Sequence, residues 1–338
     1  MHFFILPVLL FALSVIQVNA KEAVGFDQAI IYSQSDRPLK ASIWYPSQNT
    51  FPRERVAENP AFVGTDIIRI GTAKASSYPL VILSHGYRGS WRNLNWLATR
   101  LTQQGFIVAA IDHPGTTTFN QDPALAAQWW QRPTDLSRLL DWLLEQSYVA
   151  PFIDTHNITA IGHSLGGWTV MALAGAKFDR AQLLEECRLD HNPRVCGLLN
   201  ELGMDTIQDG EPQHSLQDLR IKRVISLDLG LARGFSRESL QQLSTPSLIL
   251  AAGIDIGDLP QAQESGFLAE YIPDAMHEYI VYADATHFSF MQLCKEGAIE
   301  MIEEENPGDG IICQDGNQRT RYELHEKIAD DILAFMKK

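Results

Sequence analysis

The sequence predicts an α/β protein built on a mainly parallel sheet with helices on both faces. Three observations predict this class: short continuous apolar runs recur along the chain, helical apolar spacings lie between them, and 338 residues suffice for one large domain. Continuous apolar runs are typical of strands that are covered on both faces. Alternation of such strands with helices favours parallel pairing. A ligand site is therefore expected at the carboxyl ends of the strands.

The predicted strands begin directly after the amino-terminal segment. Residues 21–47 alternate polar and apolar side chains around a turn-like Ser-Asp-Arg-Pro sequence, which predicts an antiparallel pair. Six apolar runs then predict buried strands. They lie at residues 79–84, 106–111, 158–161, 224–227, 248–252 and 279–282.

Helical patterns separate these runs. One apolar stripe has the spacing i, i+3, i+4, i+7, i+8, which predicts an amphipathic helix; it consists of Leu136, Leu139, Leu140, Leu143 and Leu144. Residues 165–176 are small and apolar, as in a buried helix. A last helix is predicted to place four residues on one side, namely Tyr322, Ile328, Ile332 and Met336.

One segment interrupts the alternation. Residues 178–220 are rich in charge and glycine and show no clear strand pattern, so we interpret them as a cap-like insertion over the strand ends. No linker or internal repeat indicates a second domain. The prediction is a single domain over residues 21–338.

The first twenty residues have the features of a cleaved signal peptide. Residues 3–18 are nearly all apolar, and Val18-Asn19-Ala20 places small residues where a signal peptidase cuts. No cysteine follows to mark a lipoprotein, and the apolar run is short for a membrane span. We therefore expect export to the periplasm or outside the cell, with no transmembrane anchor after cleavage.

The charge balance excludes some partners. Lys and Arg total 27 and Asp and Glu total 41, which gives a formal net charge of -14. Nucleic-acid binding needs basic side chains that displace phosphate counterions, so this class is not expected. An acidic chain is likewise not attracted to anionic lipid by charge.

Four cysteines are too few for a disulfide-built miniature scaffold and too scattered for a zinc ribbon. In an oxidising compartment, two local pairs are the natural choice among three connectivities. The prediction is Cys187–Cys196 and Cys294–Cys313, each closing a short loop.

A candidate nucleophile follows the third buried run. Residues 162–166 read Gly-His-Ser-Leu-Gly between an apolar strand and a small-residue helix. In that context the sharp turn exposes the serine hydroxyl above the sheet, at a helix amino terminus. Ser164 is therefore the predicted nucleophile.

Such a nucleophile requires donors for the oxyanion. One is expected to be the backbone amide of Leu165, the residue after the serine. The other should come from the loop after an earlier strand, where residues 84–89 read Ser-His-Gly-Tyr-Arg-Gly. The amide of Tyr87 is favoured because Gly86 lets the backbone turn toward the site.

The serine also needs a base, expected in chain order after an acid. Three of the ten histidines lie late enough in the chain. His277 falls in a helix-to-strand connection and His325 falls inside the terminal helix. His287 falls in the loop after the last strand and is the predicted base.

The acid has three candidates. Asp228 directly follows the strand at residues 224–227, whereas Asp255 and Asp258 lie in the loop after the next strand. The later loop is the commoner place, but the usual position there is Ile256, and a shift by one residue would misdirect the side chain. Asp228 is favoured, and Asp255 and Asp258 remain alternatives.

Five motifs together resemble the α/β-hydrolase superfamily over nearly all of residues 21–338. More narrowly, the chain resembles bacterial proteins described as predicted dienelactone hydrolases, which are similar to plasma-type platelet-activating-factor acetylhydrolases. In those acetylhydrolases the acid follows the earlier strand, which implies Asp228. True dienelactone hydrolases use a cysteine where this chain has Ser164, so that substrate is not carried over. The motifs are residues 83–86, 112–115, 132–137, 162–167 and 287–290.

The predicted function is a serine hydrolase that cleaves carboxylic esters through an acyl-enzyme, without a metal or an organic cofactor. The expected partner is a small-molecule or lipid ester, and the resemblance implies short acyl chains. Aromatic residues expected near the site favour an apolar substrate; they are Tyr87, Trp91, Trp129, Trp130 and Phe288. A peptidase and a non-catalytic binding relative on the same fold are the alternatives.

Overall fold

A ten-stranded mixed sheet organises residues 22–206, 215–257 and 259–338, the part of the chain that the computed structural model describes. The predicted signal peptide at residues 1–20 lies outside the described residues. The strands in chain order are β1 (Ala23–Ile31), β2 (Leu39–Ser47), β3 (Glu54–Val56), β4 (Thr65–Arg69), β5 (Tyr78–Ser84), β6 (Ile107–Asp112), β7 (Ile153–His163), β8 (Arg223–Leu227), β9 (Ser247–Ile254) and β10 (His277–Thr286).

The predicted mainly parallel sheet is confirmed. Its spatial order is β10-β9-β8-β7-β5-β6-β2-β1-β4-β3, and the six strands from β10 to β6 are parallel to one another. The next strand, β2, pairs antiparallel with β6. The predicted amino-terminal hairpin is also present, because β1 and β2 pair antiparallel. The sequence patterns missed β3 and β4, which extend the sheet beyond β1.

Ten α-helices are present in the described residues. They are α1 (Asn95–Thr102), α2 (Pro123–Ala126), α3 (Gln131–Glu145), α4 (Leu165–Ala174), α5 (Arg180–Leu189), α6 (Pro193–Glu201), α7 (Arg237–Gln241), α8 (Ser265–Tyr271), α9 (Ala298–Glu305) and α10 (Arg321–Met336).

The central strand β5 explains why the buried runs are apolar at every position. Leu80 and Ile82 point into a core cluster that includes the leucines of α3 and most of α4. Val81 and Leu83 point to the other side, into a cluster with α1 and α10. Because successive side chains of a strand alternate between faces, a strand covered on both sides must be apolar throughout.

The helix predictions hold with one exception. The stripe on α3 is buried at Leu136, Leu139 and Leu140. On α10, however, Tyr322 is 60% exposed, whereas Ile328 and Ile332 are fully buried. Tyr322 precedes Ile328 by six residues, which places the two side chains about 120° apart around the axis. The prediction that Tyr322 shares the buried face is therefore wrong.

The insertion at residues 178–220 is helical where it is described. Helices α5 and α6 are joined by the Cys187–Cys196 disulfide. The insertion lies against the segment that follows β8, because the amide of Asp179 donates to the Gly234 carbonyl. The α6 residue Glu201 forms a salt bridge of 3.3 Å with Arg88, in the loop after β5. The insertion thus contacts two loops at the carboxyl edge of the sheet.

Candidate active site

Ser164 occupies the sharp turn between β7 and α4. Its backbone has φ 56° and ψ -121°, in the positive-φ region that side chains other than glycine rarely adopt. The Ser164 amide donates to the Leu227 carbonyl at 3.0 Å, which fixes the turn against the end of β8. The turn therefore holds Ser164 at the carboxyl edge of the sheet, as the sequence predicts for the nucleophile.

Two glycines make this turn possible. A Cβ at Gly162 would lie 1.9 Å from the carbonyl oxygen of Gly166. A Cβ at Gly166 would lie 2.0 Å from the carbonyl oxygen of Ser84, at the end of β5. Real Cβ atoms do not approach backbone oxygen so closely, so both positions require glycine.

His287 and Asp228 meet beside this turn. Asp228 directly follows β8 and His287 directly follows β10, and the His287 Nδ1 lies 2.7 Å from the Asp228 Oδ2. The other carboxylate oxygen of Asp228 accepts a hydrogen bond from the Ala252 amide at 2.8 Å. With Asp228 only 3% exposed, these contacts fix the carboxylate and, through it, the orientation of the imidazole.

The other candidate acids stand differently. Asp255 accepts hydrogen bonds from the amides of Gly257 and Leu259, at 3.4 and 2.9 Å, and so caps its own loop. Asp258 lies outside the described residues. Of the two candidates that the structure describes, Asp228 is the one placed against His287.

The neighbouring His163 supports the backbone of His287. The His163 Nε2 lies 2.9 Å from the His287 carbonyl oxygen, and the two ring centroids are 4.6 Å apart. Burial lowers the pKa of His163 to about 3, with the nearby His287 charge adding to the shift. A neutral His163 therefore donates its Nε2 proton to that carbonyl and holds the loop that carries the candidate base.

The two predicted oxyanion donors lie on segments next to Ser164. Leu165 is the first residue of α4. In the loop after β5, a Cβ at Gly86 would lie 3.1 Å from the Cβ of Ser164, so this backbone passes directly beside the serine. Arg88 has φ 55°, and the Gly89 amide donates to the Gly86 carbonyl, which closes a tight turn around Tyr87.

Three of the aromatic residues expected near the site belong to the core instead. Trp91 is 4% exposed and packs with Phe26 and Trp44, at centroid distances of 5.3 and 5.7 Å. Trp129 and Trp130 are also buried, in the cluster on the other side of the sheet. Apolar composition does not distinguish a binding surface from a core, and this part of the prediction is wrong. Tyr87 and Phe288 are half-buried.

Glu264 is a buried carboxyl group near the candidate acid that no sequence pattern indicated. It is 1% exposed, and its Oε2 accepts a hydrogen bond from the Ala232 amide at 2.7 Å. Burial raises the pKa of Glu264 to about 8, and the charge of Asp228 adds to this shift. The group is therefore mostly protonated at neutral pH.

Glu264→Gln is expected to raise the free energy of unfolding relative to wild type, by an amount that grows as the pH rises. The folded state keeps a proton on Glu264 that the unfolded state releases above its ordinary pKa of 4.5, so this group lowers the free energy of unfolding between about pH 4.5 and 8. The amide does not ionise, and the gain should reach a few kcal/mol at pH 8. Thermal unfolding at pH 5, 6.5 and 8 measures it. A Tm difference that stays constant over this range would contradict the assignment.

All four cysteines of the chain are paired, as Cys187–Cys196 and Cys294–Cys313. The second disulfide closes the segment that follows His287. Within this segment the Ser289 hydroxyl donates to Asp315 at 2.7 Å. The disulfide and this hydrogen bond together hold the short helical turn that begins at His287.

Removal of the second disulfide should therefore harm activity more than removal of the first. We expect Cys294→Ser with Cys313→Ser to lower kcat, because the loop carrying His287 gains freedom. Cys187→Ser with Cys196→Ser is the matched control and should cost a similar stability, roughly 2–4 kcal/mol, with less effect on kcat. Initial rates well below each variant's Tm test this. Equal losses of kcat at equal losses of Tm would refute it.

Two kinds of feature are absent from the described residues. No helix among them is both long and apolar enough to cross a membrane. No group of three or more His, Cys, Asp or Glu side chains among them is arranged to hold a metal ion.

The chain is similar to known ester hydrolases. A family model described as PET hydrolase-like matches residues 27–182. A cutinase from Thermobifida alba is 33% identical over 106 residues, which is 31% of this chain and 33% of the relative. A bis(hydroxyethyl) terephthalate hydrolase from Streptomyces coelicolor is 28% identical over 116 residues, 34% of each protein. The chain thus spans about a third of the length of the curated relatives that it matches.

A solved structure extends the likeness to the whole fold. The ferulic acid esterase from Streptomyces cinnamoneus superposes with a TM-score of 0.62 at 18% identity, covering 95% of this chain and 90% of that one. The family model includes Ser164 but ends before Asp228 and His287. The narrower resemblance to dienelactone hydrolases and acetylhydrolases is not tested by these matches and stays a prediction. The sheet order and this superposition show that the chain has the α/β-hydrolase fold.

Proposed function

We propose that the protein is an exported serine hydrolase that cleaves carboxylic esters. The observation that carries the proposal is the convergence of three strand ends: Ser164 after β7, Asp228 after β8 and His287 after β10. The 2.7 Å contact between Asp228 and the Nδ1 of His287 supports these roles. The names of the matched relatives, cutinase and bis(hydroxyethyl) terephthalate hydrolase, denote ester hydrolases and point to the same reaction.

The proposed reaction proceeds through an acyl-enzyme. Asp228 holds the imidazole with its proton on Nδ1, so the Nε2 of His287 accepts the proton from the Ser164 hydroxyl. The serine oxygen attacks the ester carbonyl, and the protonated His287 then gives its proton to the departing alcohol. Water, activated by the same base, attacks the acyl-enzyme and releases the acid. The chain's own groups supply each step, and we propose no metal or organic cofactor.

The backbone amides of Leu165 and Tyr87 are the proposed oxyanion donors. The tetrahedral intermediate carries its negative charge on the former carbonyl oxygen, and two fixed amides stabilise that charge more than they stabilise the neutral ester. The helix α4 begins at Leu165, so its positive amino-terminal dipole points at the same oxygen. The amide hydrogen bonds and the helix dipole both stabilise the transition state and therefore raise kcat.

A fluorophosphonate probe and a chromogenic ester test the proposal together. The full purified chain should hydrolyse p-nitrophenyl acetate, and the probe should add one mass increment that maps to the peptide containing Ser164. Absence of both hydrolysis and labelling would favour the non-catalytic relative. Hydrolysis of a matched p-nitroanilide at a comparable kcat/KM would favour a peptidase.

We further propose small-molecule or lipid esters as the substrate class. The half-buried rings of Tyr87 and Phe288 flank the candidate site and offer apolar contact to an acyl chain. Comparison of acetyl, butyryl and long-chain p-nitrophenyl esters, with and without phospholipid, tests this. Rates that do not depend on acyl length or lipid would refute the substrate class without affecting the ester hydrolase proposal.

Export is part of the proposal as well. The apolar leader predicts it, and the two disulfides fit an oxidising compartment. Amino-terminal sequencing of the protein recovered from a culture expressing the full gene should begin at Lys21. An intact Met1 on the recovered protein would contradict cleavage.

A further inference from the structure

A buried arginine lies beneath the candidate oxyanion site, and neither the mechanism above nor the motif that contains it assigns it a role. Arg132, near the start of α3, is 1% exposed. Its Nη1 donates to the Thr116 hydroxyl at 2.6 Å, and its Nε donates to the Thr169 hydroxyl at 2.9 Å. Its Nη2 donates to the His85 carbonyl oxygen and to the Ser84 hydroxyl. One planar group thus joins α3 to three other segments of the chain: the end of β5, the loop after β6 and α4.

The contact between Arg132 and the His85 carbonyl fixes the backbone that leads to Tyr87. The His85 carbonyl belongs to the peptide unit directly before the one that carries the Tyr87 amide. The His85 ring is held as well, because its Nε2 accepts a hydrogen bond from the His113 amide at 2.9 Å. Its Nδ1 lies 2.7 Å from the Gly86 carbonyl oxygen. Arg132 therefore anchors the point from which the loop turns toward Ser164.

The contact between Arg132 and Thr169 leads to the other candidate donor, Leu165. The Thr169 hydroxyl, which accepts from Arg132, donates to the Leu165 carbonyl at 2.8 Å. Thr169 is fully buried, so no solvent competes for this chain of hydrogen bonds. The first turn of α4 and the loop after β5 are consequently held in one relative position by the same guanidinium.

The positive charge is retained despite its burial. Burial lowers the pKa of Arg132 to about 9, and the nearby Asp135 carboxylate acts against this shift. Asp135 is itself fully buried and forms a two-pronged ion pair with Arg37, at 2.7 Å for each contact. A buried charge set of this kind is weak evidence for a purely stabilising role, because well-packed apolar residues often serve stability equally well.

We propose that Arg132 is a positioning residue for the oxyanion hole, which sets the spacing between the amides of Tyr87 and Leu165. The inference rests on the proposed ester hydrolysis. Arg132 itself touches neither substrate nor reacting atoms in this role. Its effect is confined to the transition state, because an ester in the ground state carries no oxyanion.

The test compares Arg132→Met, Arg132→Lys and Thr169→Val with the matched control Arg220→Met. Arg220 also anchors α3, through Ser137 and Asp141, but on a side that does not reach the oxyanion loop. In Arg132→Met, kcat for p-nitrophenyl acetate should fall at least about tenfold, since loss of one whole oxyanion donor costs about 100- to 1000-fold. KM should stay within about twofold, because ground-state binding is unaffected. The lysine ammonium is a compact group that cannot reproduce the planar, forked set of donors of arginine. Arg132→Lys should therefore restore little of the lost kcat.

A tetrahedral mimic gives a readout that a merely structural role would not move. Affinity for a boronic acid, whose adduct on Ser164 places an anionic oxygen between the two amides, should weaken in parallel with kcat/KM. Thr169→Val keeps the shape of the core and should show the same pattern to a smaller extent. If Arg132→Met does not fold, Thr169→Val alone decides.

Two results would overturn the inference. One is a folded Arg132→Met or Thr169→Val variant with unchanged kcat and unchanged boronic acid affinity. The other is a loss of kcat that only matches the loss in Arg220→Met at equal Tm. Both require an active wild-type enzyme. A wild type without esterase activity or Ser164 labelling is instead a failure of the proposed function.

Discussion

Ser164→Ala is expected to lower kcat for p-nitrophenyl acetate by at least about 10⁴-fold while the fold remains intact. Removal of the proposed nucleophile should abolish the acyl-enzyme route, so that only the proposed oxyanion donors and substrate binding assist attack by water. The alanine also occupies the same positive-φ turn, so the local backbone strain is unchanged. Initial rates at saturating substrate, with circular dichroism to verify folding, measure the effect.

The control for this experiment is Ser147→Ala. Ser147 is a buried serine whose hydroxyl donates to the Leu143 carbonyl at 2.7 Å. It precedes β7 at the edge of the sheet opposite Ser164, so its loss should cost some stability and leave kcat within about twofold. A Ser164→Ala protein that keeps more than about one hundredth of the rate, or still binds the fluorophosphonate covalently, would remove Ser164 from the mechanism.

Asp228→Asn is expected to lower kcat by about 10³- to 10⁴-fold. The asparagine amide can turn its N–H group toward the imidazole, which favours the tautomer with the proton on Nε2 and leaves no lone pair there for the serine proton. It also withdraws the negative charge that stabilises the imidazolium. The side-chain oxygen of the asparagine can still accept the hydrogen bond from the Ala252 amide, so the loop should stay in place.

Asp255→Asn is the discriminating control for the acid. Asp255 caps its own loop through the Gly257 and Leu259 amides, and an asparagine oxygen can accept the same hydrogen bonds. We expect kcat within a few-fold of wild type. If Asp255→Asn or Asp258→Asn loses activity as severely as Asp228→Asn, the acid is not Asp228 alone. The measurement is kcat for the three variants at one pH near neutrality.

The central fold was predictable because strong local signals coincide with burial on both faces. Val81 and Ile82 are neighbours in β5 that pack into the cores on opposite faces of the sheet. A continuous apolar run of this length has few interpretations other than a strand buried on both faces. The turn at Ser164 was predictable for a similar reason, since Gly162 and Gly166 are required by backbone contacts of about 2 Å. Such positions tolerate no alternative residue, so they carry a visible pattern.

The supporting groups were not predictable because their partners are distant in sequence. Arg132 contacts His85, 47 positions away, and Glu264 contacts Ala232, 32 positions away. Neither contact produces a periodic pattern along the chain. The prediction that Trp91 lies near the site was wrong for a related reason, because an aromatic side chain is equally suited to the core and to a binding surface. In each case the role of the side chain depends on three-dimensional packing, which the spacing of residues along the sequence does not show.

The positive φ angles at Ser164 and Asp228, 56° and 45°, have a consequence for engineering this protein. Such conformations cost about 1–3 kcal/mol at residues other than glycine. Laboratory evolution that selects for heat resistance alone would therefore favour replacement of these residues, and would yield stable variants without activity. A screen for durable variants must score turnover in every round, because two of the strained positions are members of the proposed triad.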